Sequence, residues 1–218
     1  MKKPLILTVL TLVFAVSCAF AAPGQVVTFG KYYQDKEGKK RTALEWLVLD
    51  DKDGKTLLIT KNVINAVPFH NVRETVTWDN SDLRNWLNKN FLRDAFSKKE
   101  QKAIVLSDVS AVKNPRFDTP VGKPTQDKVF LLSYEECLRY MPTDQDRKCF
   151  PTDYAIAHGC YQNKDGHAAW WLRSNGMSET EPEHLATWGN FSLRHHHVDD
   201  PIIGVRPSIW VDSKKLKQ

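Results

Sequence analysis

The residues best equipped for chemistry lie in the last quarter of this 218-residue chain. His184 stands upstream of His195-His196-His197, and Asp199-Asp200 follow. Imidazole and carboxylate in one stretch are the donors that zinc or copper takes. Neighbouring residues of an extended chain point to opposite faces, so the triplet alone does not chelate one ion. A metal site requires His195 and His197 to converge with His184 or Asp199; the alternative is an exposed polar loop. No other cofactor is expected.

The second constellation is "HAAWWLRSNG" (residues 167–176), echoed by "GVRPSIWV" (residues 204–211). Alternation along a strand sends Trp170 and Leu172 to one face, and Trp171 and Arg173 to the other. One tryptophan is then core, while the other is placed to stack on a guanidinium as a cation–π pair. Read for function, Trp171 and Arg173 offer a flat face and a fork of donors to a sugar or carboxylate. Ser174, Trp188, Asn190 and Arg206 join them as candidate ligand-binding residues. Read for structure, Arg173 and Arg206 satisfy buried carbonyls or an acid and pin adjacent strands, which is the stronger of the two readings.

Hydrolytic and phosphate-binding signatures are absent: the chain has no G-x-S-x-G, no H-E-x-x-H and no glycine-rich phosphate loop. No residue is assigned a catalytic role. Cys137, Cys149 and Cys160 contain no C-x-x-C, which argues against a thiol oxidoreductase. In an oxidising compartment one disulfide plus one buried thiol is the simplest arrangement. Three pairings are open, and Cys149–Cys160 is favoured because the two flank a short helical segment.

That compartment follows from the first residues. Lys2 and Lys3 precede an apolar stretch, Leu5 to Val16, and Ala19-Phe20-Ala21 fits signal-peptidase cleavage after Ala21. A lipid anchor at Cys18, after Ala15-Val16-Ser17, is the rival. Either way the protein is expected to be secreted, periplasmic or held at the cell surface. No later run approaches the ~20 apolar residues of a membrane span. Removing residues 1–21 takes the net charge from +5 to +3 and leaves the charges interspersed, so no nucleic-acid partner is expected.

The elements that must position these residues read as one α+β domain, 22–218. Val26 to Gly30, Ala43 to Asp50 and Lys55 to Thr60 are strand-like, with Asp51 to Gly54 turning a hairpin. Asn80-Ser81 caps a helix with Leu83, Trp86, Leu87 and Phe91 on one face. Ser97 to Glu100 and Ser133 to Glu136 are capping boxes, and Thr152 caps a further turn that Gly159 closes. Strands are expected over 105–112, 127–132, 168–173, 186–188 and 204–211. Strands at both ends around central helices imply one mixed or antiparallel sheet that joins them.

Several motifs carry a resemblance. "VTFGKYYQ", "EWLVLD", "GKTLLIT", "VTWDNSDLRNWLN", "KVFLLSYEE", "PTDYA", "WWLRS" and "GVRPSIW" occur in that order. Together, from about residue 26 to 211, they resemble the bacterial family called domain of unknown function 6273. The resemblance implies an exported or surface protein and no particular activity. More distantly, "WWLRS", a glycine-containing loop and "GVRP" are similar to the end of formylglycine-generating-enzyme-like domains. That likeness implies a C-type-lectin-like fold, in which the chain ends share one sheet and late loops carry ligands. The cysteine pair of the catalytic members has no counterpart after Cys160, so their oxidase chemistry is not implied. The expectation is a non-catalytic module binding a glycan or protein ligand of the cell envelope on residues 174–200. A metal-dependent protein using His184 and His195–His197, and a structural envelope component, are the alternatives.

Overall fold

The computed structural model describes residues 22–216. The expected export signal and the lipid site at Cys18 lie outside the described residues. Strands β1 (Val26–Tyr33), β2 (Arg41–Lys52) and β3 (Lys55–Thr60) form an antiparallel meander. Asp53 and Gly54, at φ +52° and +72°, make the two-residue turn between β2 and β3. Asp-Gly suits it because both positions need the left-handed region.

After a two-residue strand β4 (Asn65–Ala66) come α1 (Asp82–Trp86), joined through a π-helical turn (Leu87–Phe91) to α2 (Leu92–Ala95), and α3 (Lys98–Ala103). The Ser81 hydroxyl caps α1 by accepting from the Arg84 amide, and Leu83, Leu87 and Phe91 are buried. Both capping boxes form, Ser97–Glu100 at α3 and Ser133–Glu136 at α4 (Tyr134–Tyr140). Between α3 and α4, the expected strands shrink to a small ribbon of β5 (Ser107–Val109) with β6 (Thr125–Asp127). The chain bends at 128–129 and then makes an isolated β-bridge from Phe130 to Ser208. Short helices α5 (Asp144–Arg147) and α6 (Asp153–Ala157) lead into the late strands.

Those late strands are β7 (Trp170–Trp171), β8 (His184–Leu185), β9 (Gly204–Val205) and β10 (Ser208–Asp212). They divide between two sheets. One has the order β1-β2-β3-β10, and the other the order β4-β9-β7-β8. The expected joining of early and late strands is thus realised in an α+β fold with an antiparallel main sheet. The far edge of β10 is covered: Val105 donates its amide to the Trp210 carbonyl at 2.8 Å, and Phe130 and Ser208 exchange both backbone bonds.

Two expected strands need correction. Residues 204–211 are not one strand, because Arg206-Pro207 carries the chain from one sheet to the other. Pro207 has no amide hydrogen to extend a ladder, so β9 stops before it and β10 starts after it. Residues 186–188 are a turn after β8, closed by Gly189 at φ +85°, whose amide donates to the Ala186 carbonyl. Both sheets and the helices bury one apolar core, in which Trp46, Phe91, Trp170, Leu185 and Ile209 are all inaccessible. Burial of each such side chain contributes about 1.5–3 kcal/mol. Among the described residues no helix is long and apolar enough to cross a membrane.

Candidate functional site

The tryptophan pair is a seam. Trp170 and Trp171 are each 0 % exposed, because β7 is an inner strand of its sheet and both of its faces are covered. The Trp170 indole donates to the Arg147 carbonyl at 3.1 Å, with the Arg206 guanidinium 5.1 Å from the ring. Trp171 donates to the Val67 carbonyl and meets the edges of Phe69 and His184. The expectation of one core and one available tryptophan is therefore corrected.

Arg173 pairs with Glu136 through both terminal nitrogens and donates to the Leu131 carbonyl. Its cation lies over Phe130, not Trp171. Arg206 donates to the Thr60 carbonyl at 2.8 Å, and the buried Ser174 hydroxyl accepts from the Tyr134 amide. Trp171, Arg173, Ser174 and Arg206 thus join β7, β9 and α4 to their neighbours, and all four are buried.

The candidate metal ligands do not converge. Alternation places His195 and His197 on one side, as expected, but they face Glu181: His195 Nδ1 lies 3.0 Å and His197 Nδ1 3.5 Å from Glu181 Oε1. His196 turns the other way, to Asp200 at 2.9 Å and to the His184 ring at 4.9 Å. Asp199 is taken by Arg73 at 3.1 Å. Among the described residues no three His, Cys, Asp or Glu side chains are grouped to hold a metal ion. Burial, and then the neighbouring His196, depress the His184 pKa to about 3, so this imidazole is neutral. Burial pushes the Glu181 carboxyl up, but hydrogen bonds from His195 and Ser178 outweigh it and hold the pKa below its ordinary value.

The cysteines also differ from expectation. Cys137, Cys149 and Cys160 are all free and buried, and the Cys149–Cys160 bridge is not formed. The Cys160 thiol is directed to the Tyr161 carbonyl, 3.8 Å away. Burial raises all three thiols, Cys137 and Cys160 to about 12, which leaves them protonated and poor nucleophiles.

Trp188 and Asn190 fare differently. Both line an open groove of about 500 Å³ between the 186–194 turn and the 161–164 and 202–203 segments. Trp188 is 48 % exposed there, and Tyr161 is 54 % exposed. Asn163 also lines it: its side-chain Oδ1 accepts from the Asp165 and His167 amides, and its Nδ2 is buried without a partner. Arg194 and Lys164 are exposed at the groove, and Lys148 Nζ lies 6.0 Å from the Trp188 ring.

Two arginines, the buried Arg147 and the partly buried Arg116, hold the groove's walls. Arg147 donates to the Gly189 carbonyl at 2.6 Å, fixing the turn that carries Trp188. Arg116 donates to Glu183 at 2.8 Å and to the Ser192 carbonyl, while Asn114 donates to the same Glu183 oxygen. Burial raises the Glu183 pKa against these partners. Tyr161 and Asn163 escaped the sequence reading, although Gly159 and "YQNKDG" mark an exposed turn there. Only contact in three dimensions joins them to Trp188.

Residues 53–213, well over half of the chain, match the family described as Domain of unknown function (DUF6273). The match begins in the β2–β3 turn, so it covers β3 to β10 and leaves out β1 and β2. No curated protein and no solved structure matches the chain. On the extent of the family match, the chain belongs to the domain of unknown function 6273 family.

Proposed function

We propose that the protein is a non-catalytic binding module of the cell envelope or exterior, and that it takes a glycan in the groove around Trp188. One observation carries this reading: two half-exposed aromatic rings, Trp188 and Tyr161, line the same groove as the amides of Asn163 and Asn190. A sugar ring offers an apolar C–H face and a rim of hydroxyls. Aromatic side chains cover the face, and the Asn190 amide with the exposed Lys164 and Arg194 would meet the rim. A groove of about 500 Å³ also lies within the range of small-ligand sites. A C-type-lectin-like arrangement is part of the proposal: early and late strands share a sheet, and the loops between late strands carry the ligand. Export rests on the signal-like residues 1–21.

The test is titration of the purified protein with neutral oligosaccharides and soluble peptidoglycan fragments. Trp188→Ala should weaken the interaction about ten-fold or more, as loss of a central aromatic anchor does. Its melting temperature should stay at the wild-type value. If wild type binds none of these glycans, or if Trp188→Ala binds as tightly, the reading is overturned.

A further inference from the structure

We propose that a second surface, two joined basic clefts between β1, the 35–41 turn and α3, binds a linear anionic polysaccharide. The clefts measure about 340 and 660 Å³ and share Lys31, Ser97 and Glu100 in their linings. Six cationic side chains line them: Lys31, Lys39, Lys40, Arg41, Lys99 and Lys215. Two carboxylates share the linings, and both are engaged, while a third, Asp35, is held on the 35–41 turn by the Lys39 and Lys40 amides. Asp94 accepts the fork of Arg93 at 2.7 and 2.9 Å. Glu100 accepts from the Ser97 amide and hydroxyl, each at 2.7 Å, and from the Gly30 amide at 3.2 Å. Among the described residues Lys31, Lys39, Lys40 and Lys215 form no ion pair.

The backbone sets these charges in place. The β1–β2 register shifts between Thr28 and Lys31, and Gly30 there has φ +73°. A Cβ at Gly30 would strike the Ala95 carbonyl and the Phe96 ring, so the bulge brings β1 hard against the end of α2. A bulge of this kind redirects the side chain that follows it, here Lys31 at the cleft. Lys39 and Lys40 sit on a turn tied by their own amides to the Asp35 carboxylate, at 3.4 Å each. Their side chains remain exposed.

The lining selects among anionic partners. The cations are exposed, and the concave lining that runs between them accommodates a single chain better than a flat bilayer. Single-stranded nucleic acid needs exposed rings for its bases, but Phe29 and Phe96 are both buried. An acidic protein would need a large apolar anchor pocket at the centre of the contact, whereas the accessible apolar side chains of the lining are the small Ala43 and the half-buried Leu216. What remains is a polymer recognised by the spacing of its charges, such as a uronate or sulfated polysaccharide. Lysine suits this role, as a point charge that imposes no bidentate geometry. This inference is independent of the glycan groove, since the two linings have no residue in common.

The experiment is titration of the full protein with a size-defined heparin octasaccharide at 50 and 300 mM NaCl. Wild type should bind at low salt and weaken steeply at high salt, as screening predicts. Lys39→Ser/Lys40→Ser should weaken binding by about ten-fold at low salt. The charge-matched control Lys55→Ser/Lys89→Ser and the groove variant Trp188→Ala should bind as wild type does. The proposal is overturned if wild type does not bind, if the control loses as much as the cleft variant, or if vesicles with anionic headgroups compete with equal dependence on Lys39 and Lys40.

Discussion

Removing the Arg173 guanidinium would take a donor from the Leu131 carbonyl and leave the Glu136 carboxylate with the Ser133 amide but no cation. Breaking a fully buried pair costs about 3–5 kcal/mol. Glu136 keeps a third of its side chain in solvent, so the expected loss for Arg173→Ala is nearer to about 2 kcal/mol. A urea denaturation midpoint measures it, and Trp188→Ala, being exposed, should stay within about 0.5 kcal/mol of wild type. An Arg173→Ala protein as stable as wild type would contradict the pinning role. That role was legible in the sequence, since an arginine beside two tryptophans and strand formers has few uses other than satisfying buried acceptors. The burial of both tryptophans was not. Alternation distinguishes two faces of a strand, but it carries no information on whether each face is covered. The choice of Glu181 as the meeting point of His195 and His197 was equally invisible, because it depends on where a separate loop returns.

The turn bearing Trp188 is held as a unit by what lies behind it. Gly189 has φ +85°, and a Cβ there would collide with the Asp144 carbonyl at the start of α5. Gly189→Ala is therefore strained twice, by its dihedral and by contact, at a cost of order 1–3 kcal/mol. The turn would shift away from α5, and the Arg147 bond to the Gly189 carbonyl would go with it. The expected outcome is weakened glycan binding with Trp188 itself intact, read by the same titration used for Trp188→Ala. Unchanged affinity in Gly189→Ala would show that the turn's position does not matter. At this scale the sequence was informative wherever the signal was local: Ser81, Ser97, Ser133 and Thr152 each cap the helix expected of them. It failed where the signal was tertiary. The break at Arg206-Pro207 contains a proline, yet only the presence of two sheets makes that proline a crossing point.

For the molecule as a whole, His184 couples stability to pH. Its pKa is about 3 when folded, against an ordinary value of 6.5, so below pH 6.5 the unfolded chain binds a proton that the folded chain does not. Stability therefore falls as pH drops from about 6.5 toward 3, by about 2 kcal/mol at pH 5 from this residue. His196, Asp200 and Arg116 shape that value along with burial, and Glu183, whose raised pKa acts in the opposite sense, lies next to it. The contribution of His184 is thus read as a difference: His184→Phe should flatten the slope of stability between pH 7 and 5 relative to wild type. Equal slopes would remove His184 as the cause. The α+β class and the union of early and late strands were legible, because strand-like segments cluster at both ends of the sequence. The division into two sheets was not, since two-residue strands leave almost no periodic trace. The placement of β10 bears on how the chain is made and moved. Ile59 cannot find its partner Ser208 until the 149 residues after it have been synthesised. A nascent chain of this kind stays open, and folds slowly once released. Slow, late closure suits the export we propose, because a translocon threads chains that have not yet folded.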